Sequence, residues 1–572
     1  MMLLYRRAFQ NFVSINRLRW HHLLYISQSN RTTIACSINT TANSCQQIVR
    51  TKTGVIAHQK DHQIQHFDTD QIIDDNQQIP KSNLFKTNCK PLPFEAIPCA
   101  DQSNTILNHF TGIIAFLNQW KQLLTAKWDN QFHDEIHKCH QQFGPIFRKS
   151  LGSSKNVIFI QSPDLLRDVF VYEGKYPKHP LPEAWTFYNQ LHNCQRGLFF
   201  MDDVEWLETR KQLAPLMLRN DQRFSTAIEN ATDDLIESWK QIAIEHQHNR
   251  HSYSCNGFTE LPQALTSLYG WSIRVLVGIM FGNAAHVMCN ELRETIDHFA
   301  QIVQNVFEDT VPFSSISPHL AHKFRLPIWL KFETSVTQTL NIANEIIEFG
   351  LKHCDHCNDN DGLLIELKRL GMSNEMIKRI FVDLIIAAGD TTAFSTQWAM
   401  YLLSLNEQIQ DKIRHELFEM DKLDTPLIRG TVRETLRLFP VATFIGRILG
   451  KDAILNNYHI DKNSLVLISM YSAGRDETSF PHANEFQPNR WNRDPHTGTL
   501  KFVNRAQSSI PYALGARNCI GQRIANAQMH IILSKLLRTF KVQLLNANEI
   551  DIVMRLIIMP SKPMRFAVKP ID

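Results

Sequence analysis

The chain has 572 residues, of which 43% are hydrophobic and 20% are charged, and its formal net charge is +4. This composition is that of a globular protein rather than a disordered one, and the small charge argues against nucleic acid as a partner. The eleven cysteines follow no regular spacing, which argues against a secreted disulfide framework and favours a reducing compartment.

The first 60 residues differ in composition from the rest of the chain. They are rich in Arg, Lys, Ser, Thr and Asn, and the first acidic residue is Asp61. This composition is typical of a mitochondrial transit peptide, with a merely disordered basic tail as the alternative. The apolar run at the start ends at Arg6, and no stretch approaches the roughly 20 apolar residues of a membrane span. The sequence therefore predicts a transit peptide over residues 1–60.

The segment of residues 61–89 is polar, and prolines follow it closely, so it is interpreted as a linker. A single folded domain is predicted over residues 90–572. Short apolar runs near residues 143–147 and 156–160, bounded by Gly and Ser, predict strands. The fold class expected is mainly α with a small β-sheet region.

Residues 174–207 are rich in aromatic side chains with irregular spacing, and three prolines interrupt them. This pattern predicts a loop whose rings pack onto a core. At the end of the segment, Trp206 and Arg210 are four residues apart and would share one face of a helix.

Residues 261–352 predict three long amphipathic helices with a break around 311–328. Cationic and apolar side chains alternate irregularly over residues 322–332. This composition suits either a membrane surface or ordinary helix packing. The following run, His-Cys-Asp-His-Cys at 353–357, predicts a polar loop, and a zinc site is the alternative.

A long, mostly apolar helix is predicted over residues 373–405, with Ser373 as a candidate N-cap. Asp390, Thr391 and Thr392 lie in its middle, where polar side chains need partners. The threonines could bond back to their own helix while Asp390 pairs elsewhere, or the three could serve chemistry.

A second polar pair lies on a helix predicted over residues 426–438. Glu434 and Arg437 are one turn apart and can pair. Such a pair contributes little at a surface, whereas removing one partner of a buried pair costs about 3–5 kcal/mol.

The loop of residues 511–525 presents Cys519 between Gly515 and Gly521, just before an apolar helical pattern. A thiolate at a helix N-terminus is stabilised by the helix dipole and can ligate iron. Arg517, two residues before the cysteine, could meet an anionic group beside such a metal. A buried structural cysteine is the alternative.

This loop resembles the haem-thiolate loop of the cytochrome P-450 family, in which an aromatic residue, Gly, Arg, Cys and Gly stand at these offsets. One departure is Tyr512, which replaces the usual Phe seven residues before the cysteine and whose hydroxyl could alter hydrogen bonding around the sulfur. The resemblance implies that haem b is the cofactor and that Cys519 is the proximal iron ligand. Thiolate ligation favours O–O cleavage, so oxygen activation is expected.

The resemblance covers about residues 90–572 and implies roles for the other motifs. Asp390 would relay protons and Thr391 would hydrogen-bond bound dioxygen, although Ala388 stands where the family usually has Gly. The residues implied to contact the haem propionates or the metal are Trp206, Arg210, Arg447, Arg517 and Cys519. Those implied to hold the haem-side core are Glu434, Arg437 and Arg490, the last from the Phe486–Trp491 element. Arg429 and Arg433 would dock an adrenodoxin-type ferredoxin, reduced by an NADPH-dependent ferredoxin reductase.

The resemblance is closest to the mitochondrial class, and residues 176–185, 194–200 and 376–390 resemble insect ecdysteroid 2-hydroxylases. It implies hydroxylation of 2-deoxyecdysone to ecdysone with O2, on the matrix side of the inner membrane with peripheral membrane contact. The implied pocket residues are Trp185, Tyr188, His192, Ile386, Ala387, Val441, Thr443, Phe444 and Met559, of which His192 and Thr443 would read substrate hydroxyls. A steroid hydroxylase of other regiospecificity, or a non-oxidative haem-thiolate isomerase or sensor, remains the alternative.

Overall fold

A computed structural model describes residues 91–101, 131–151, 154–218, 222–248, 257–314, 316–354, 362–494, 496–500 and 502–571. All of them fall in one unit that spans Thr87–Asp572. The predicted transit peptide and linker lie outside the described residues.

Helices make up most of the described chain, as predicted. They are α1 (Phe132–Phe143), α2 (Pro163–Tyr172), α3 (Glu183–Leu191), α4 (Asp203–Met217), α5 (Gln222–His248), α6 (Ala264–Phe281), α7 (Ala285–Glu291), α8 (Arg293–Thr310), α9 (Pro318–Lys323), α10 (Pro327–Cys354), α11 (Leu363–Arg369), α12 (Asn374–Ser404), α13 (Glu407–Met420), α14 (Pro426–Leu438), α15 (Met470–Ala473) and α16 (Gln522–Thr539).

The strands form four small sheets in the described chain. They are β1 (Ile146–Leu151), β2 (Ser154–Ile160), β3 (Thr259–Glu260), β4 (Phe444–Ile448), β5 (Ala453–Leu455), β6 (Tyr458–Ile460), β7 (Leu465–Ser469), β8 (Phe540–Leu544), β9 (Ile552–Arg555), β10 (Ile557–Pro560) and β11 (Phe566–Pro570). The largest sheet has the order β1-β2-β7-β4, with β2 and β7 parallel and its other neighbours antiparallel. A second sheet has the order β3-β11-β8, and β5-β6 and β9-β10 are hairpins.

The core is organised around α12, which packs against α6, α8, α10, α14 and α16. It begins where the sequence predicts, because the Ser373 hydroxyl caps it by accepting a hydrogen bond from the Met376 N–H at 3.2 Å. The middle of α12 is therefore surrounded by other helices, which places its polar residues in the interior of the domain.

The prediction of a loop over residues 174–207 is wrong in part, because Glu183–Leu191 forms α3. Prolines do interrupt the segment, but Pro182 stands immediately before the helix, where a residue that lacks an N–H breaks no helical bond. Ala184, Trp185 and Tyr188 are buried on one face of α3, and this packing stabilises the helix.

The cationic and apolar stretch of residues 322–332 packs in part into the core. Trp329 and Phe332 are fully buried in the core, as helix packing requires. Leu320 and Phe324 are exposed by 54% and 64%, and they lie close to the turn between α9 and α10. These two side chains expose apolar surface near the stretch, and contact with a membrane stays a prediction.

One correction concerns membrane spans. The sequence predicts no membrane span, but among the described residues α6 is long and apolar enough by composition to cross a membrane. Most of α6 is buried against other helices, and its Arg274 pairs with Asp297 at 2.6 Å. These contacts are those of a core helix in a folded domain.

Candidate functional site

The Cys519 loop is held by short backbone hydrogen bonds. The Cys519 N–H donates to the Tyr512 carbonyl at 2.9 Å, and the Asn518 N–H donates to Gly515 at 3.2 Å. Gly515 adopts a φ of +78°, which favours glycine. Cys519 is accessible and lies three residues before α16, so its thiol is presented at the start of that helix.

Opposing effects act on this thiol. Although the Cys519 side chain is accessible, the protein atoms around it desolvate the thiol and raise its pKa above its ordinary value, while the Gly521 backbone N–H and the charge on Arg210 act to lower that pKa. A coordinated metal cation deprotonates a thiol outright. The protein thus supplies groups that stabilise the thiolate, and a bound metal would complete its ionisation.

Three of the predicted cofactor-binding residues converge on this loop. Arg210 on α4 donates to the Asn518 side chain, and the Arg517 guanidinium lies 4.3 Å from the centre of the Trp206 ring. Arg517 also donates to Asp202 and to the Pro177 carbonyl, at 2.8 and 2.5 Å. Burial lowers the pKa of Arg517 to about 10.

The third predicted cation, Arg447 on β4, is fixed by an acid that was not among the predicted site residues. Its Nε donates to Glu173 at 2.7 Å, and the Ala516 N–H donates to the same carboxylate at 3.1 Å. A Cβ at position 515 would lie 2.3 Å from Glu173, so this contact requires Gly515. Glu173 therefore ties β4 to the Cys519 loop.

A second missed residue, His179, lies in the same region. Both ring nitrogens are buried and have no hydrogen-bond partner among the described residues, although the Phe199 backbone lies close enough to raise the pKa of the ring slightly against the other effects. Burial and the charges on Arg517 and Arg447 lower the pKa of His179 to about 3. A buried imidazole without partners beside two guanidiniums fits a region that receives an anionic group.

Helix α12 presents a narrow accessible face in its middle. Ala387 and Thr391 are exposed one turn apart, although the surrounding residues of this interior helix are largely buried. The Thr391 hydroxyl donates to the Ala387 carbonyl at 2.8 Å. The helix is continuous through Ala388 and Gly389. This face therefore borders an interior space, with a hydroxyl on its wall.

Asp390 points to a different neighbour. Its Oδ1 accepts a hydrogen bond from the hydroxyl of Tyr269 on α6, and its Oδ2 has no partner among the described residues. Burial raises the pKa of Asp390 well above its ordinary value, which favours the protonated acid. The acid next to Thr391 can therefore store a proton in the core.

Glu434 is the centre of a buried polar cluster. It accepts hydrogen bonds from Arg437 at 2.6 and 2.9 Å and from Arg490 at 2.8 Å, and all three side chains are almost completely buried. The Trp491 indole N–H also donates to Glu434, at 2.8 Å. The two guanidiniums in turn donate to carbonyls of residues 474–502, so the cluster fixes that segment.

Three predicted pocket residues lie on α3 or directly after it and bond to other helices. The Trp185 indole donates to Thr310 at 2.9 Å, and the Tyr188 hydroxyl lies 2.7 Å from the Thr337 hydroxyl. His192, at the surface, is 2.9 Å from Glu333. Their polar groups thus hold α3 against α8 and α10.

The remaining pocket candidates lie in different parts of the fold. The Val441 carbonyl accepts from the Ile558 N–H at 3.1 Å, which brings residue 441 close to buried Met559 on β10. Thr443 is buried, and its hydroxyl has no partner in the described part of the chain. Phe444, in contrast, packs its ring against Phe132 and Phe159 beside the four-stranded sheet. Ile386 is buried on α12.

Arg429 and Arg433 are exposed on α14. Arg429 donates to Asp424 at 2.9 Å, and the Arg433 guanidinium lies 5.0 Å from the centre of the Trp491 ring. Burial of its stem and the charges on Arg493 and Arg429 lower the pKa of Arg433. The three arginines therefore form a local positive surface.

The zinc alternative for residues 353–357 falls mainly outside the described residues. His353 lies in the last turn of α10, and its Nδ1 is 2.9 Å from the Phe349 carbonyl. Where the structure describes the chain, no cluster of three or more His, Cys, Asp or Glu side chains could hold a metal ion.

The donor set fits haem. Cys519 is the one exposed cysteine among the described residues, and with Arg210, Arg447, Arg517 and the unpartnered His179 in the same region it matches a group with one metal and anionic substituents. The helical fold and this site define a haem-thiolate protein.

Comparison with known proteins agrees. The cytochrome P450 family model matches residues 112–568, so the chain belongs to this family. It is 37% identical over 507 residues to Cytochrome P450 315a1, mitochondrial, of Drosophila melanogaster, covering 85% of this chain and 94% of that protein. It is also 26% identical over 501 residues to the mitochondrial cholesterol side-chain cleavage enzyme of Equus caballus, covering 84% and 90%. Cytochrome P450 11B1, mitochondrial, of Rattus norvegicus is 24% identical over 498 residues, covering 84% and 93%.

Proposed function

We propose that this monooxygenase hydroxylates an ecdysteroid at carbon 2 and so converts 2-deoxyecdysone to ecdysone. The haem-thiolate chemistry follows from the family. The finer assignment rests on three segments, 176–185, 194–200 and 376–390, which resemble insect ecdysteroid 2-hydroxylases of the Shadow type. The observation that carries the proposal is the accessible face of α12 at Ala387 and Thr391 in an otherwise apolar interior, which suits a large apolar substrate.

The bound haem, with a thiolate on its iron, supplies oxygen activation. Cys519 would provide that thiolate, and Trp206, Arg210, Arg447 and Arg517 would hold the carboxylates of the cofactor. Their existing bonds to Asn518, Glu173 and Asp202 orient these cations before the cofactor enters. Little conformational entropy then remains to be lost on binding.

Proton delivery is assigned to Thr391 and Asp390. Thr391 can turn its hydroxyl from the Ala387 carbonyl toward the interior space, because its side chain is accessible there. Asp390 holds a proton in the core, at a carboxyl group whose Oδ2 is free to donate. Substrate binding would exclude bulk water from this space, so that protons arrive through these groups.

Replacing Thr391 by Ala should uncouple electron consumption from hydroxylation. The helix keeps its backbone bonds, but the interior loses a hydroxyl that guides a proton, so hydroxylated product should fall about 10-fold or more while NADPH consumption continues. Product, peroxide and NADPH are measured together. Thr334→Ala is the control, because Thr334 makes the same bond to its own helix, on α10. Unchanged coupling in Thr391→Ala would show that the hydroxyl serves only the helix.

We also propose that electrons come from an adrenodoxin-type ferredoxin in the mitochondrial matrix and that the protein contacts the inner membrane. Mitochondrial relatives support the compartment. The positive surface of Arg429, Arg433 and Arg493 suits an acidic partner, and exposed Leu320 and Phe324 suit a membrane surface.

Arg433→Glu should raise the ferredoxin concentration for half-maximal turnover several-fold and flatten its salt dependence, because exposed charges at an interface chiefly steer association. Steroid affinity, measured by optical titration, should not change. Lys240→Glu makes the same charge change on α5 and serves as the control. An equal loss of steroid affinity in Arg433→Glu would point instead to disturbed packing beside Trp491 and Glu434.

The function is tested with the purified enzyme, NADPH, ferredoxin and ferredoxin reductase, and a panel of ecdysteroid precursors. Hydroxylated ecdysteroid is expected only when both electron carriers are present. Product formed without them would indicate an isomerase, and binding without any product would indicate a sensor. Turnover of fatty acids in place of ecdysteroids would overturn the substrate class.

A further inference from the structure

Tyr512, the residue that departs from the family pattern, is tied to the cysteine loop at two points. Its carbonyl accepts the Cys519 N–H at 2.9 Å, and its hydroxyl donates to the Asn526 side-chain oxygen at 2.9 Å. Asn526 lies on α16, seven residues after Cys519, and Tyr512 lies seven residues before it. The two bonds therefore close the loop onto the helix on both sides of the cysteine.

The charge of the Cys519 sulfur affects the Tyr512 phenol. Burial and the negative charge of Cys519 both raise the pKa of Tyr512 above its ordinary value, so the phenol keeps its proton. A buried phenol needs an acceptor, since an unsatisfied hydroxyl costs desolvation energy. The observed acceptor is the Asn526 oxygen, and the Cys519 sulfur is near enough for its charge to act on the phenol.

We propose that Asn526 is a positioning residue that holds the Tyr512 hydroxyl away from the Cys519 sulfur. A hydrogen bond to a metal-bound sulfur withdraws electron density and raises the reduction potential of the centre. Because Asn526 accepts the hydrogen bond from the phenol, the thiolate keeps its electron density for the iron. The inference depends on the haem-thiolate site alone and holds whichever steroid is the substrate.

A double-mutant cycle distinguishes this positioning role of Asn526 from a role in packing alone. Asn526→Leu removes the acceptor, so the phenol turns to the sulfur. Tyr512→Phe removes the hydroxyl, so no phenol proton can turn to the sulfur. In the double variant the phenol is absent, so the loss of Asn526 has no effect on the iron. A packing role predicts instead that the two changes disturb the site independently.

The experiment measures the midpoint potential of the iron and the rate at which the ferrous carbonyl complex loses its thiolate-type absorption. Both are measured in the substrate-free, haem-loaded enzyme. Asn526→Leu should raise the potential and speed the loss about 10-fold. Tyr512→Phe and the double variant should both match the wild type. Tyr458→Phe, a half-buried phenol on β6, is the control.

An unchanged potential in Asn526→Leu would overturn the proposal, and so would a raised potential that persists in the double variant. If Asn526→Leu does not load haem, Asn526→Ala with and without Tyr512→Phe gives the same comparison. Failure of ecdysteroid turnover would bear on the proposed function and leave these potentials unaffected.

Discussion

Cys519→His should abolish the red-shifted carbonyl-complex band that thiolate ligation produces, together with all hydroxylase activity. An imidazole is a weaker electron donor than a thiolate and does not favour O–O cleavage in the same way. The loss should exceed about 10³-fold in turnover, which corresponds to roughly 4 kcal/mol in the barrier. Absorption spectra of the reduced enzyme under carbon monoxide measure the ligand directly.

Cys139→Ala is the matched control for this change. Cys139 is another free cysteine of the described chain, on α1, and burial raises the pKa of its thiol. Its removal should leave the band in place. A Cys519→His enzyme that kept the thiolate-type band would remove Cys519 from the iron.

Glu434→Gln should prevent the accumulation of folded, haem-loaded enzyme. The substitution leaves the guanidiniums of Arg437 and Arg490 buried without a neutralising charge, and breaking such a pair costs about 3–5 kcal/mol. That is a large part of the 5–15 kcal/mol that typically stabilises a domain. Soluble yield, haem content and the thermal unfolding temperature measure the effect.

Glu549→Gln is the control for this prediction, because its ion pair with Lys562 at 3.1 Å is exposed on both sides. An exposed pair contributes about 0–1 kcal/mol, so this variant should unfold close to the wild-type temperature. Equal stability of the Glu434 and Glu549 variants would show that water or backbone groups already neutralise the buried cluster.

Features set by local spacing could be predicted from the sequence. The start of α12 at Ser373 follows from a capping residue before an apolar helical pattern, and Trp206 and Arg210 fall on one helix because they are four residues apart. The family resemblance located Cys519 and the cluster around Glu434 by motif. In each case a short stretch of chain carries the whole signal.

Features that depend on distant parts of the chain could not be predicted. Glu173 and Arg447 are separated by 274 residues, and Tyr269 and Asp390 by 121, so no spacing relates them. The Tyr512–Asn526 bond spans only 14 residues, but it crosses a loop whose path is set by backbone bonds. Tertiary contacts decide these partners, and local pattern does not contain them.

One wrong prediction has a definite physical origin. Prolines in a short segment usually indicate a loop, and the sequence therefore predicts one where α3 forms. Pro182 stands immediately before α3, at a position that is compatible with the start of a helix. The ring of Phe444 packs with Phe132 and Phe159, because side chains alternate between the two faces of β4, and its role in the pocket stays a prediction.

The position of the new oxygen in the product tests the central claim most directly. The enzyme is incubated with 2-deoxyecdysone, ferredoxin, its reductase, NADPH and isotopically labelled dioxygen, and the product is analysed by mass spectrometry and nuclear magnetic resonance. We expect one labelled oxygen, as a hydroxyl at carbon 2 of the A ring, so that the product is ecdysone. A labelled hydroxyl on the side chain would contradict the proposed orientation of the steroid over the haem.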